Sequence, residues 1–179
     1  MQPNATLHLR AVEPLDIELL YEWENNRDLW GVSETLAPFS REAIASFIAE
    51  SQRSDIYATR QLRLMVDVAQ AHDPRDTVGI VDLYDFDPQN LRAGVGILIY
   101  HPAHRRKGIA TQALRQLMSY AFSTLHLHQL YCGIAANNAA SLALFRKLGF
   151  EQTGLRKAWR MREGGFEDEV FMQKILGIG

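Results

Sequence analysis

The sequence predicts an α+β fold in which a central mixed, mostly antiparallel sheet is flanked by helices, in the order β-α-α-β-β-β-α-β-α-β-β. Three observations carry this. Strand-like runs at 62–69, 77–84 and 93–100 follow one another through short turns, the pattern of an antiparallel meander. The apolar run ending at Tyr100 is stopped by Pro102 and gives way to a basic turn and then a long amphipathic stretch, a strand–turn–helix unit. Two further strand-like runs flank Glu163-Gly164-Gly165, a hairpin signal.

Residues 6–12 alternate apolar and polar side chains and read as the first strand. Pro14 opens a helix to about residue 25, with Leu15, Leu19, Leu20 and Trp23 at helical spacing. Residues 26–39 show no period and contain Gly31 and Pro38, so a loop is expected there. Ser40 is the expected N-cap of a helix to about residue 52, whose inner face is Ile44, Phe47 and Ile48. The first two meander strands join through the turn pair Asp73-Pro74, the last two through residues 85–90. A helix follows over 107–123 with Ile109, Leu114, Leu117, Met118 and Ala121 inward, then a short buried strand at 130–135. A helix over 138–148 is stopped by Gly149, and strands at 150–160 and 166–176 close the chain. No repeat or linker interrupts residues 1–179, so one domain is expected.

Forty-seven per cent hydrophobic and 22% charged residues are ordinary globular proportions. A net charge of −2 argues against nucleic acid or an anionic membrane as partner. No apolar stretch approaches a membrane span, and the polar start is no signal peptide. The lone Cys132 forms no intramolecular disulfide, which fits a reducing, cytoplasmic setting. His101, His104, His126 and His128 lack the companion ligands of a metal site, so no metal is expected.

The strand–turn–helix unit is where chemistry concentrates. The first turn of a helix has unpaired N–H donors and a positive dipole end, Gly108 and Ala110 let an anion approach the backbone, and Arg105, Arg106 and Lys107 add charge. This is a phosphate or pyrophosphate cradle.

Arg105-Arg106-Lys107-Gly108-Ile109-Ala110 fits Arg/Gln-x-x-Gly-x-Gly/Ala, and thirty residues after Gly108 comes Asn138-Ala-Ala-Ser141-Leu-Ala-Leu-Phe145-Arg-Lys147-Leu-Gly149-Phe150. In these two motifs, in this order, the chain resembles the GNAT N-acetyltransferase superfamily, most closely the branch of spermidine acetyltransferases and ribosomal-protein N-terminal acetyltransferases. The resemblance implies a GNAT-like fold, acetyl-CoA as co-substrate, and a primary amine as acceptor: a polyamine such as spermidine, another small amine, or a peptide N-terminus. A catalytically weak acyl-CoA-binding module is the remaining alternative, and a homo-oligomer is compatible with all of these.

The resemblance also implies roles. The amide-bearing arm of the cofactor pairs with the edge at Ile97, Leu98 and Ile99, and a backbone N–H near Leu98 faces the thioester carbonyl. Arg105 to Lys107, Gly108, Ile109, Ala110 and Thr111 surround the pyrophosphate. Asn138 contacts the arm from the other side and also suits a helix N-cap, while Lys147 extends toward the phosphates. The chain departs from many relatives twice: Phe145 stands where a tyrosine would protonate the leaving thiolate, and Gly94 where a glutamate would serve as base. Ser141 matches a serine proposed as proton donor in the ribosomal-protein branch. At the position of that branch's glutamate stands Arg160, so Asp82, Asp85 and Glu34 are the acids nearest to the task of base. Glu22, Glu24 and Asp28 join them in giving the acceptor end a negative character.

Overall fold

In the computed structural model, residues 7–33, 35–68, 76–162 and 164–176 are described. They form a seven-stranded sheet. The strands are β1 (His8–Ala11), β2 (Leu62–Asp67), β3 (Thr77–Asp87), β4 (Arg92–Ile99), β5 (Gln129–Ala135), β6 (Glu151–Arg162) and β7 (Gly165–Ile175), in spatial order β1-β2-β3-β4-β5-β7-β6. The helices are α1 (Ile17–Glu24), α2 (Arg27–Ser33), α3 (Arg41–Arg53), α4 (Ile56–Thr59), α5 (Ile109–Ser123) and α6 (Ala139–Lys147).

The meander is antiparallel as expected, with Ile80 opposite both Met65 and Leu98. The β6–β7 hairpin is antiparallel too, and Gly149 follows α6 with φ +84°. Ser40 caps α3, its Oγ accepting from the Ala43 N–H at 3.0 Å. The Asp73-Pro74 turn lies outside the described residues. The loop expected over 26–39 is corrected: it contains α2. That short helix has no apolar period because side-chain bonds start and hold it. Asn26 Oδ1 accepts from the Asp28 N–H at 3.0 Å, and the Trp30 indole N–H donates to the Glu24 carbonyl at 2.9 Å. The helix expected from residue 14 begins as a 3-10 turn at Pro14–Asp16, and α4 was not foreseen.

Strand alternation sends side chains to two faces with different covers. Val81, Leu83, Val95, Leu130, Ile134, Val170 and Met172 pack with Leu114, Leu117 and Met118 of α5 and Leu142 and Phe145 of α6. Met65 and Ile80 point the other way, onto Leu20 and Trp23 of α1 and Ile44 and Ile48 of α3. The second cover lies over β1–β3 and extends to Leu98 and Tyr100 at the end of β4, while Asp82 of β3 and the same face of β5 and β7 border an open cleft.

The covered half is tied down by a buried ionic network. Arg10 donates to Asp67 Oδ2 at 2.7 Å and to both oxygens of Asp16 at 2.7 and 2.8 Å, while Thr77 Oγ1 donates to Asp67 at 2.7 Å. Asp16 is fully buried, so removing its charge leaves part of a guanidinium stranded. Asp16→Asn should therefore lower the unfolding free energy by about 3 kcal/mol in a urea titration.

Candidate active site

The site begins where two strands part. β4 and β5 pair in parallel through Arg92, Ala93 and Gly94 against Gln129, Leu130 and Tyr131, and no further. Beyond Gly94, β4 continues beside β3 as far as Ile99, and beyond Tyr131, β5 continues beside β7 as far as Ala135. Right-handed twist carries two such halves apart once they stop bonding. The result is a cleft of about 1180 Å³, lined by Ile97 and Leu98 of β4, by Tyr131 to Ala135 of β5, and by Asn138, Ser141 and Phe145 of α6.

Past the end of β4 the chain makes a 3-10 turn at Pro102–His104 and enters α5 through Gly108. Gly108 is the N-cap, at φ +82°, a conformation that favours glycine, and an added β-carbon would meet nothing within 4 Å. No side chain caps α5, so the N–H groups of Ile109, Ala110 and Thr111 form the unpaired first turn. Arg106 and Lys107 are exposed beside it. Arg105 is engaged with its own strand, donating from Nε to the Ile99 carbonyl and from Nη2 to the Tyr100 carbonyl, each at 3.0 Å. These bonds fix the basic turn against the end of β4.

Asn138 is the N-cap the sequence suggested: its Oδ1 accepts from the Ser141 N–H at 3.1 Å, leaving its amide N–H₂ for a ligand. Ser141 lines the cleft, and among the described residues its hydroxyl has no hydrogen-bond partner. Phe145 is buried and meets Phe150 edge-to-face at 5.0 Å, so its ring belongs to the core as well as to the cleft wall. Lys147 is exposed on the last turn of α6, and the structure does not bring it to the cleft. Cys132 is buried; desolvation, reinforced by Glu169, pushes its thiol up to about 12, which removes it as a nucleophile.

On the open face, Asp82 accepts from Arg63 Nε at 2.8 Å and Nη2 at 3.2 Å, while Arg63 Nη1 donates to Glu24. Glu24, Asp82 and Asp85 all line the cleft; Glu22 instead accepts from the Tyr100 hydroxyl at 3.1 Å, Asp28 is not in the lining, and Glu34 lies outside the described residues. Sequence reasoning missed a second group of charges. Buried Glu169 accepts from Arg156 at 2.7 Å, Glu167 accepts from Arg162 at 2.8 Å, and Arg162 also donates to the Gly31 carbonyl of α2. The signal was there in β7, where Glu167, Glu169 and Phe171 alternate with the inward Val170 and Met172.

Gly94 also has a structural cause. A β-carbon there would fall into the ring of Tyr84, its partner on β3, which in turn meets Tyr131 edge-to-face at 6.2 Å. Burial raises the Tyr84 phenol well above its ordinary value, so it stays protonated. The space of the expected glutamate is filled by a tyrosine from the next strand.

The Acetyltransferase (GNAT) domain family matches residues 6–151. The chain belongs to that family. It is 28% identical over 153 residues to spermidine N(1)-acetyltransferase of Vibrio cholerae, covering 84% of this chain and 82% of that one. A crystal structure of Vibrio cholerae spermidine N-acetyltransferase in complex with CoA and spermine superposes with a TM-score of 0.83 at 25% identity, covering 96% of each chain. A dodecameric structure of the Vibrio cholerae enzyme superposes at 0.78 and 25% identity, covering 96% of this chain and 95% of that one. The central mixed sheet and flanking helices are the GNAT fold that the two motifs implied.

In this GNAT domain, restoring a glutamate at 94 should not restore a base. Gly94→Glu must displace the Tyr84 ring and should cost about 1–3 kcal/mol by chemical denaturation. Adding Tyr84→Ala should recover part of that loss, as expected for side chains sharing one space.

Proposed function

We propose that this protein is a cytoplasmic, acetyl-CoA-dependent N-acetyltransferase acting on a primary amine of a polyamine such as spermidine, or of another small amine. The observation that carries the reading is the parting of β4 from β5 beside an uncapped helix N-terminus. Buried backbone N–H and C=O groups left without partners are costly, so a sheet opens in this way where another extended, amide-bearing group can complete the pairing. Acetyl-CoA supplies such an arm, a pyrophosphate and the acetyl thioester.

In this reading Ile97, Leu98 and Ile99 pair with the arm, and a backbone N–H near Leu98 stabilises charge on the thioester oxygen. The first turn of α5, with Gly108, Ile109, Ala110 and Thr111, receives the pyrophosphate, and Arg106 and Lys107 add charge. Arg105 holds the turn in place. Asn138 contacts the arm through its free amide, and Ser141 donates a proton to the departing sulfur. Asp82, with two donors of Arg63 on its oxygens, holds negative charge on the acceptor wall. The similarity to enzymes named for spermidine supports the polyamine as acceptor, and the dodecameric structure supports self-association.

A CoA-release assay over a panel of polyamines, monoamines and peptides tests the function directly. Turnover of spermidine or another small amine is expected, and cofactor binding without turnover of any amine would overturn it. Gly108→Val should place two methyl groups where the pyrophosphate sits and weaken CoA binding at least tenfold by calorimetry. A melting curve separates that loss from the strain of a β-branched residue at positive φ. Ser141→Ala should lower kcat about 100-fold with little change in CoA Kd, and full activity would remove Ser141 from the mechanism.

A further inference from the structure

The acceptor half of the cleft holds a cation that belongs to the chain itself. Arg156 reaches inward from the edge strand β6, and its Nη1 donates to Glu169 Oε1 at 2.7 Å. Its guanidinium carbon lies 5.1 Å from the centroid of Trp159 and 4.9 Å from that of Phe171. Both distances fall within the range over which an aromatic ring attracts a cation. Arg156, Trp159, Phe171 and Glu169 all line the same cleft as Asn138 and Ser141.

The two ends of this ion pair are unlike. The Glu169 side chain is 5% exposed and that of Arg156 42%. Glu169 is fixed by the fold: it sits opposite Ala135 in the β5–β7 register, and its carboxylate lies flat against β5 where Gly133 has no side chain. A β-carbon on Gly133 would come 2.6 Å from Glu169 Oε1, so the glycine makes room for the acid. Arg156, by contrast, hangs from an edge strand on a long stem, half-exposed, with water within reach of its guanidinium. When it leaves, Glu169 keeps Arg160 Nη1 at 3.8 Å, so the carboxylate stays compensated.

We propose that Glu169, Trp159 and Phe171 form the binding site for an ammonium group of the acceptor, and that Arg156 fills this site in the free protein and is displaced when the acceptor binds. The inference rests on the amine acceptor proposed above. A primary ammonium suits the place: it is a compact charge with three donors, where the guanidinium is broad and planar. The internal cation gives the buried carboxylate a close hydrogen-bonded partner before substrate arrives, where Arg160 at 3.8 Å supplies charge alone, and it screens the site from cations that bind more weakly than the acceptor.

Steady-state kinetics with spermidine and acetyl-CoA test the proposal. Arg156→Ala removes the competitor, and the spermidine KM should fall about three- to tenfold with the acetyl-CoA KM unchanged. Adding Glu169→Gln should abolish the gain and raise the spermidine KM above that of the unaltered protein. Trp159→Ala, a change on an exposed side chain, should raise it about threefold without touching a buried charge. A spermidine KM unchanged or increased by Arg156→Ala, or unmoved by Trp159→Ala, overturns the proposal while leaving the acetyltransferase reading intact. Absence of amine turnover by the unaltered protein overturns both.

Discussion

Two strands that should be neighbours along their whole length are bonded through three residue pairs and then separate. Each keeps a full partner on its other side, β3 for β4 and β7 for β5, so the sheet survives the break. Every ligand-facing feature follows from that parting. It opens the edge of β4 at Ile97 and Leu98 to the cleft, lets α6 present Asn138 and Ser141 from one side, and leaves the start of α5 clear at the end of β4. α1 and α3 cover one face of the sheet over β1–β3 and the end of β4, and the remainder of that face forms a wall of the cleft.

Charge on that wall is arranged in pairs. Arg63 spans Glu24 and Asp82, Arg162 meets Glu167, and Arg156 meets Glu169. A wall of bare carboxylates would repel itself and pull inward any cation at hand. With arginines in place these carboxylates are paired, and the proposed displacement of Arg156 makes entry of a cationic acceptor an exchange rather than simple attraction. Arg162 and Arg160 also donate to the Gly31 carbonyl, which couples the β6–β7 hairpin to α2 at the mouth of the cleft.

The departures from the family pattern have local physical explanations. Gly94 is glycine because the Tyr84 ring stands over it, and Phe145 lacks a hydroxyl where its ring packs on Phe150. Both are packing solutions. Ser141 is held at the cleft because the Asn138 cap fixes the first turn of α6. Tyr84 and Tyr131 keep their protons because burial holds both phenols up.

The sequence by itself determined the meander, the closing hairpin, the long amphipathic α5 and the caps at Ser40, Asn138 and Gly149. Each of these is written in local periodicity or in one residue's backbone preference. The two motifs likewise stand on contiguous stretches and were legible, and with them the residues proposed to hold the cofactor. The acceptor half was not. Arg63, Arg156, Glu167 and Glu169 come from three strands, and α2 is held by side-chain bonds rather than by an apolar stripe. Arg105 and Lys147 read as phosphate ligands from charge and from the family resemblance; in the fold one bonds the carbonyls at the end of β4 and the other is exposed away from the cleft. Their roles depend on which strands are neighbours and which way each side chain faces. Only tertiary structure decides those, because pairing between distant segments leaves no period in the chain.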